Sequence, residues 1–153
     1  MKSKSNWFLF FGVFLISVAV GVALFQNKEK IGIGGAYSEI DWRQLIKFDY
    51  VTGTVGPELK AFDGKEVRIP GFMVPLEDNQ KQVAEFLLVP SPQACVHVPP
   101  PPPNQMVHVV MEKGTPVAWE PIWVYGEFNI QSKRSMYGES SFTMKGYKVE
   151  IYK

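Results

Sequence analysis

An uncharged apolar stretch near the start of the chain decides which part of it can form a folded domain. Residues 7–25 contain no charged side chain, and as a helix they would extend about 28 Å. That length is close to the roughly 30 Å hydrocarbon core of a bilayer. We therefore expect residues 1–25 to form a single transmembrane helix that serves as a signal anchor. The alternative is a signal peptide that is cleaved off.

Both interpretations place the rest of the chain in the periplasm. In the first, Lys2 and Lys4 favour a cytoplasmic N-terminus, so the protein would cross the inner membrane once. In the second, the protein would be secreted into the periplasm. Residues 26–37 are charged and then rich in glycine, which predicts a flexible tether. Residues 38–153 offer room for one exported domain.

The charge of the exported part excludes one class of partner. After Lys2 and Lys4, 14 basic residues face 15 acidic ones, and no cluster of four basic residues occurs. Binding to nucleic acid requires many cationic contacts with phosphates. We therefore expect no nucleic acid among the partners of this protein.

Alternating apolar residues predict a mainly β domain. The predicted strands are residues 67–76, 83–89, 106–111, 122–130 and 142–152. Five short strands separated by turn signals favour a small OB-like barrel, and a small sandwich is the alternative. The spacing of Trp42, Leu45 and Ile46 adds one short helix near residues 40–48. In the first strand, Pro70 and Gly71 predict a bulge or an edge position.

A run of prolines follows the only cysteine of the chain. Cys95-Val96-His97-Val98 precedes five prolines, and each proline fixes φ and forces its neighbour out of the helical region. The segment should therefore be extended, with Cys95 and His97 on one face. The binding or structural motif that we single out consists of Pro99, Pro100, Pro101, Pro102, Pro103, Asn104 and Gln105. Asn104 and Gln105 can bond backbone groups that prolines leave unpaired.

The residue types around this run suit a transition metal. Cys95 has no partner in the chain for a disulfide, and His108 lies on the next predicted strand, where it could approach Cys95 and His97. Thiolate and imidazole ligands are typical of zinc or copper, with Met106 as a weaker fourth candidate. Plain packing of Cys95 and a hydrogen-bonded role for His108 are the structural alternatives.

The same residues carry a family resemblance. The stretches FLLVP at 86–90 and ACVHVPPPPPNQ at 94–105 resemble the signature of an uncharacterised bacterial family of small exported or envelope-anchored proteins. The match extends over residues 40–151 and implies an envelope location, with a metal-related or transporter-accessory role suggested by association. Members more often carry Tyr where this chain has His108, which implies that Cys95 and His97 are the shared pair.

These observations predict a membrane-anchored binding or accessory module. It would be either an interaction protein with an envelope or transporter partner, or a binder of a transition metal. The alternative is an enzyme that uses Cys95 as nucleophile with a histidine as base, but no third residue with an orienting role is evident in the sequence. We therefore favour a protein without catalytic activity.

Overall fold

Short turns and long strands alternate along the computed structural model, which describes residues 37–78, 81–92 and 99–153. Two single-turn helices lie before the first long strand, α1 (Trp42–Leu45) and α2 (Pro57–Lys60). A 3-10 turn, Pro103–Gln105, precedes the third long strand. The strands are β1 (Ser38–Glu39), β2 (Lys65–Pro75), β3 (Val83–Val89), β4 (Val107–Thr115), β5 (Ile122–Asn129), β6 (Lys133–Ser135), β7 (Gly138–Ser140) and β8 (Phe142–Ile151).

Five of these strands close into a barrel. Neighbouring strands follow the order β2-β3-β4-β8-β5, and β5 pairs again with β2. The pairs are antiparallel except for β4 and β8, which run parallel. The predicted mainly β fold with a five-stranded barrel is confirmed, and the sandwich alternative is excluded because the ring has no open edge.

The strand that contains Pro70 and Gly71 changes its pairing partner at these two residues. Residues of β2 up to Gly71 pair with β5, and residues from Phe72 onward pair with β3. A Cβ atom on Gly71 would lie 2.7 Å from the carbonyl oxygen of Val89. Pro70 and Gly71 pair on one side only, with β5, so they occupy a local edge position as predicted, and no bulge interrupts β2. They form a corner at which β2 changes partner.

Strict alternation of side chains fills the barrel. Val67, Ile69 and Met73 of β2 point inward and are buried, whereas Arg68 and Phe72 point outward. The inward residues of the other strands meet them in one apolar core, which includes Phe86, Leu88, Val109, Val124, Phe128, Phe142 and Met144. Alternation with a period of two is what allowed these strands to be predicted from the sequence.

The helix predicted near residues 40–48 is present as the single turn of α1. Asp41 caps it. The Asp41 carboxylate accepts from the backbone N–H of Arg43, and the Asp41 backbone N–H donates to the side-chain oxygen of Gln44. The Trp42 indole donates to the carbonyl of Pro70 and so attaches α1 to the corner of β2. The second helical turn, α2, was not predicted.

A small hairpin covers part of the outer wall of the barrel. Strands β6 and β7 pair with each other, and Tyr137 in their turn packs against Leu87, Val89 and Met106. These three residues point away from the barrel core, so part of the outer face of β3 and β4 is apolar as well. The hairpin was not predicted either.

The segments expected to anchor and tether the protein, residues 1–25 and 26–37, lie outside the described residues except for Tyr37. No helix within the described part of the chain is long and apolar enough to cross a membrane.

Candidate functional site

The connection between β3 and β4 contains the predicted motif. Cys95 and His97 lie outside the described residues, so their common face and their metal ligation stay predictions. The chain leaves β3 after Val89 and enters β4 at Val107, and Leu88 pairs with Val107. The connection therefore begins and ends at the same end of the barrel.

The described prolines form an extended and largely exposed run. Pro99, Pro100 and Pro102 are exposed, and Pro102 has φ −62° and ψ 153°. These angles are those of a polyproline II helix. Pro102 is thus extended, as the sequence predicts for residues 98–103, whereas Pro103 departs from this conformation because it begins the 3-10 turn.

Asn104 attaches this run to the rest of the domain. Its side-chain amide Nδ2 donates to the carbonyl oxygens of Ile46 and Phe48, each at 3.0 Å. Asn104 is 8% exposed, and its Oδ1 atom has no hydrogen-bond partner among the described residues. Gln105 contributes a backbone N–H that donates to Pro102 at 2.8 Å. Asn104 thus bonds backbone groups of the segment after α1, not those of the proline run itself.

His108 lies on the outer wall of β4, opposite Leu87 on β3. Its side chain is 2% exposed, and its Nε2 lies 2.5 Å from Oε1 of Glu85. The same carboxylate oxygen accepts from Nζ of Lys133, at 2.8 Å, on the covering hairpin. Glu85 therefore joins a buried imidazole of the barrel wall to an ammonium group of the hairpin.

The surroundings favour a neutral histidine beside an ionised carboxylate. Burial lowers the pKa of His108 below its usual value, and the bond to Glu85 offsets this only in part. The bond from Lys133, followed by that from His108, lowers the pKa of Glu85. Because an ionised carboxylate only accepts, Nε2 carries the proton and Nδ1 has a free lone pair. Nδ1 is buried and has no partner among the described residues.

A histidine in this state is chemically versatile. A carboxylate that fixes one ring nitrogen leaves the other ready to bind a metal ion or to accept a proton. Across residues 37–78, 81–92 and 99–153, however, no group of three His, Cys, Asp or Glu side chains is arranged to hold a metal. Met106 is 2% exposed within the apolar cluster of the outer wall, so its observed role is packing.

Glu85 and Lys133 are site residues that the sequence analysis missed. Glu85 is the only charged residue of β3, whose sequence is VAEFLLV. A single charged residue in an apolar strand indicates a special role. The pairing of Glu85 with His108, however, depends on a register shift between Val83 and Glu85 that the sequence pattern does not predict. Lys133 belongs to the unpredicted hairpin.

The fold and the site together define a small β-barrel domain with an apolar, partly covered outer wall. The chain belongs to the family described as "Protein of unknown function (DUF3299)", whose model matches residues 48–151. The expected membership in an uncharacterised family is thereby confirmed, while the motif around Cys95 stays a prediction.

A crystal structure from the same family is among the solved structures that are similar to this chain. It is the crystal structure of a DUF3299 family protein (PA4066) from Pseudomonas aeruginosa PAO1, with 34% sequence identity and a TM-score of 0.63. The match covers 78% of this chain and 98% of that one. A search of curated proteins gives no match. The barrel domain thus corresponds to almost the whole of a chain that has been crystallised.

Proposed function

We propose that this chain is a membrane-anchored envelope protein whose barrel is a binding module for a transition metal, zinc or copper. The ligands would be Cys95 and His97 from the β3–β4 connection and His108 from the barrel wall. The observation that carries the proposal is the buried Nδ1 of His108, which has no partner among the described residues while Glu85 fixes Nε2. Metal-binding histidines are commonly held in this way by a carboxylate on the other nitrogen.

The connectivity of the barrel supports a ligand on this wall. An OB barrel has five strands in a Greek-key arrangement, and it binds ligands on its second and third strands, beside the loops joining strands one to two and four to five. If β2, β3, β4, β5 and β8 are taken as strands one to five, the observed order is 1-2-3-5-4 with closure onto strand one. His108 then lies on the third strand and Glu85 on the second.

The connection is short enough for its ligands to reach the wall. Cys95 lies three residues beyond Pro92, and a chain of that length extends at most about 11 Å. Pro92 lies three residues after Val89, and Val89 lies two residues after Leu87, which pairs with His108. In this proposal the thiolate and the imidazole of this connection complete the ligand set with Nδ1 of His108.

Metal content of the domain tests the proposal. Residues 37–153 would be purified without an affinity tag, supplied with zinc or copper, and analysed by mass spectrometry. We expect one bound ion, lost in Cys95→Ser and His97→Ala and weakened in His108→Tyr. Glu85→Gln keeps an acceptor for Nε2 but loses the charge, and it should weaken binding about 10- to 100-fold. Ser91→Ala, before the motif, is the control.

Full metal content in Cys95→Ser, or no metal in the unsubstituted domain, would contradict this function. Affinity should also fall as pH decreases, because protons compete for the thiolate and the imidazoles.

A second candidate function is that of an interaction protein in which the prolines contact an envelope or transporter partner. The observation that favours it is the exposure of Pro99, Pro100 and Pro102, the last of which has the angles of a polyproline II helix, a conformation that costs little entropy to bind. A photoreactive residue placed at 100 in membranes should form one discrete adduct, and one placed at Glu139 should not. Adducts of equal yield from both positions would contradict specific contact.

A further inference from the structure

The last strand continues past the point at which β4 closes the ring. β4 pairs with β8 only as far as Met111 and Gly146, and at its end Thr115 pairs with β3 instead. On the other side of β8, β5 continues as far as Ile151. Within the described part of the chain, no strand therefore pairs with residues 147–151 on the side away from β5. We call this side of residues 147–151 the free edge of β8.

The backbone groups that point to the free edge are those of Val149 and Ile151. The N–H of Tyr152 donates to the carbonyl oxygen of Pro121, at 2.8 Å, on the side of β5. Successive residues of a strand direct their N–H and C=O groups to opposite sides, so Glu150 directs its groups to β5 and its two neighbours direct theirs to the free edge. Such an edge pairs with a second extended strand.

Opposite charges stand next to each other on the outer face of this half-strand. Nζ of Lys148 lies 2.6 Å from Oε1 of Glu150, and the two side chains are 59% and 45% exposed. Both lie on the face of Tyr125, whose hydroxyl donates to Glu150 and whose ring centre is 5.4 Å from the Lys148 ammonium. This exposure leaves both charges accessible to a strand that pairs with the free edge.

The sequence Lys148-Val149-Glu150 is complementary to itself when two copies run antiparallel. Hydrogen bonds across the free edges require Val149 or Ile151 of one copy to face Val149 or Ile151 of the other. Val149 opposite Val149 places Lys148 of each copy opposite Glu150 of the other, which gives two pairs of opposite charge. Ile151 opposite Val149 would set two Glu150 side chains against each other, which is unfavourable. Ile151 opposite Ile151 would pair neither charge with an opposite one.

We infer that two copies of this chain associate through antiparallel pairing of their free edges, with Val149 opposite Val149 about a twofold axis. Charge complementarity selects both the register and a second copy as the occupant. Strands this short bury less area than the roughly 1,200 Å² of a standard interface, so the association should be weak and depend on concentration.

The twofold pairing leaves the β3–β4 connection uncovered. This connection enters β4 at Val107, and β8 runs parallel to β4, so the free edge at the end of β8 lies at the opposite end of the barrel. The dimer would therefore present two proline runs. The inference depends neither on the proposed metal binding nor on the proposed anchoring.

Sedimentation equilibrium of the full chain in density-matched detergent micelles tests the association. Lys148→Glu and Glu150→Lys should each weaken dimerisation at least about tenfold, because either change alone creates two like-charge pairs. The double variant Lys148→Glu/Glu150→Lys restores opposite charges in both pairs, and so does an equimolar mixture of the two single variants. Both samples should dimerise within about threefold of the native chain.

The matched control reverses an exposed ion pair between α1 and α2. Nζ of Lys47 lies 3.5 Å from Oε2 of Glu58, and both side chains are more exposed than those of the free edge. Lys47→Glu and Glu58→Lys make the same changes in net charge. Neither variant, alone or mixed with the other, should change dimerisation.

Cross-linking with a zero-length carbodiimide identifies the register. Half of the native chains would be labelled with heavy nitrogen, so that an amide between a labelled and an unlabelled chain can form only between two copies. We expect mass spectrometry to find this mixed product between Lys148 and Glu150.

A lysine on an edge strand can instead serve to prevent pairing. Lys148→Ala would then increase association, whereas our inference expects a decrease. A native chain that stays monomeric at every concentration, a dimer that Lys148→Glu leaves unchanged, or mixed cross-links that avoid Lys148 and Glu150 would each overturn the inference. Tryptophan fluorescence checks that every variant is folded. If Glu150→Lys is not, the comparison of Lys148→Glu with Lys47→Glu decides.

Discussion

Replacing Asn104 should destabilise the domain, because its side-chain amide links the proline run to the residues that follow α1. Asn104→Ala leaves the carbonyls of Ile46 and Phe48 without their donor. A buried acceptor without a partner costs about 1–3 kcal/mol, and the bond to Ile46 is the less buried of the two. Loss of the unpaired Oδ1 offsets part of this cost. We expect a net loss of about 1.5–3 kcal/mol in the free energy of unfolding.

Urea denaturation of residues 37–153, followed by tryptophan fluorescence, measures the effect. With a slope of about 1.5 kcal/mol per molar urea, the midpoint should fall by about 1–2 M at unchanged slope. Gln105→Ala is the neighbouring control, because Gln105 takes part through its backbone, and it should change stability by under about 0.5 kcal/mol.

The variant Asn104→Asp separates hydrogen bonding from packing. Aspartate has the shape of asparagine but presents a carboxylate to the carbonyl oxygens of Ile46 and Phe48. At neutral pH the variant should therefore be less stable than Asn104→Ala, and its stability should increase on acidification, when the carboxylate takes up a proton. Equal stability of Asn104→Ala and Gln105→Ala, or an aspartate variant as stable as the native domain, would refute the reasoning.

Three further predictions concern the barrel and its outer wall. First, the pKa of His108 is lowered in the folded state, so unfolding takes up a proton at pH values below the unfolded-state pKa of about 6.5. The free energy of unfolding should therefore be highest above that pH and decline as the pH falls towards the folded-state pKa. The variant His108→Gln should flatten this dependence in denaturation midpoints measured between pH 7.5 and 5. Second, Lys133→Met should lower the free energy of unfolding by under about 1 kcal/mol, since the side chains of Lys133 and Glu85 in the ion pair are 42% and 39% exposed. The same variant should nevertheless speed amide hydrogen exchange in β6 and β7. Unchanged exchange would show that Tyr137 alone holds the hairpin. Third, Gly126→Ala should cost more than about 3 kcal/mol because the new Cβ would overlap the backbone of Lys145, whereas Gly56→Ala, with open space around it, should be tolerated in the same thermal melts.

The sequence predicted the elements whose pattern is repeated along a strand. Alternation over ten residues located β2 and β8, and the prolines predicted the extended backbone angles that Pro102 adopts. The hairpin of β6 and β7 escaped because three-residue strands in the polar stretch KRSMYGES carry no period that can be counted. The single turn of α2 escaped for the same reason.

The site was harder to predict than the fold because its chemistry depends on pairing across strands. His108 was singled out as a residue type, but its environment comes from Glu85, which lies 23 residues earlier and is aligned by an irregular register. The corner at Pro70 shows the same dependence. Proline and glycine normally interrupt a strand, yet here they are the place where one strand leaves its first neighbour for its second.

The parallel pairing of β4 with β8 determines when the barrel can close during synthesis. β8 lies between β4 and β5. Each of these two strands therefore lacks one partner until residues 142–151 have left the ribosome and any export channel. Domains whose contacts are this distant in sequence fold late and slowly. The apolar strands β4 and β5 would therefore each spend that interval unpaired on one side. Truncation within the last ten residues should yield a chain that aggregates or is degraded rather than a smaller barrel.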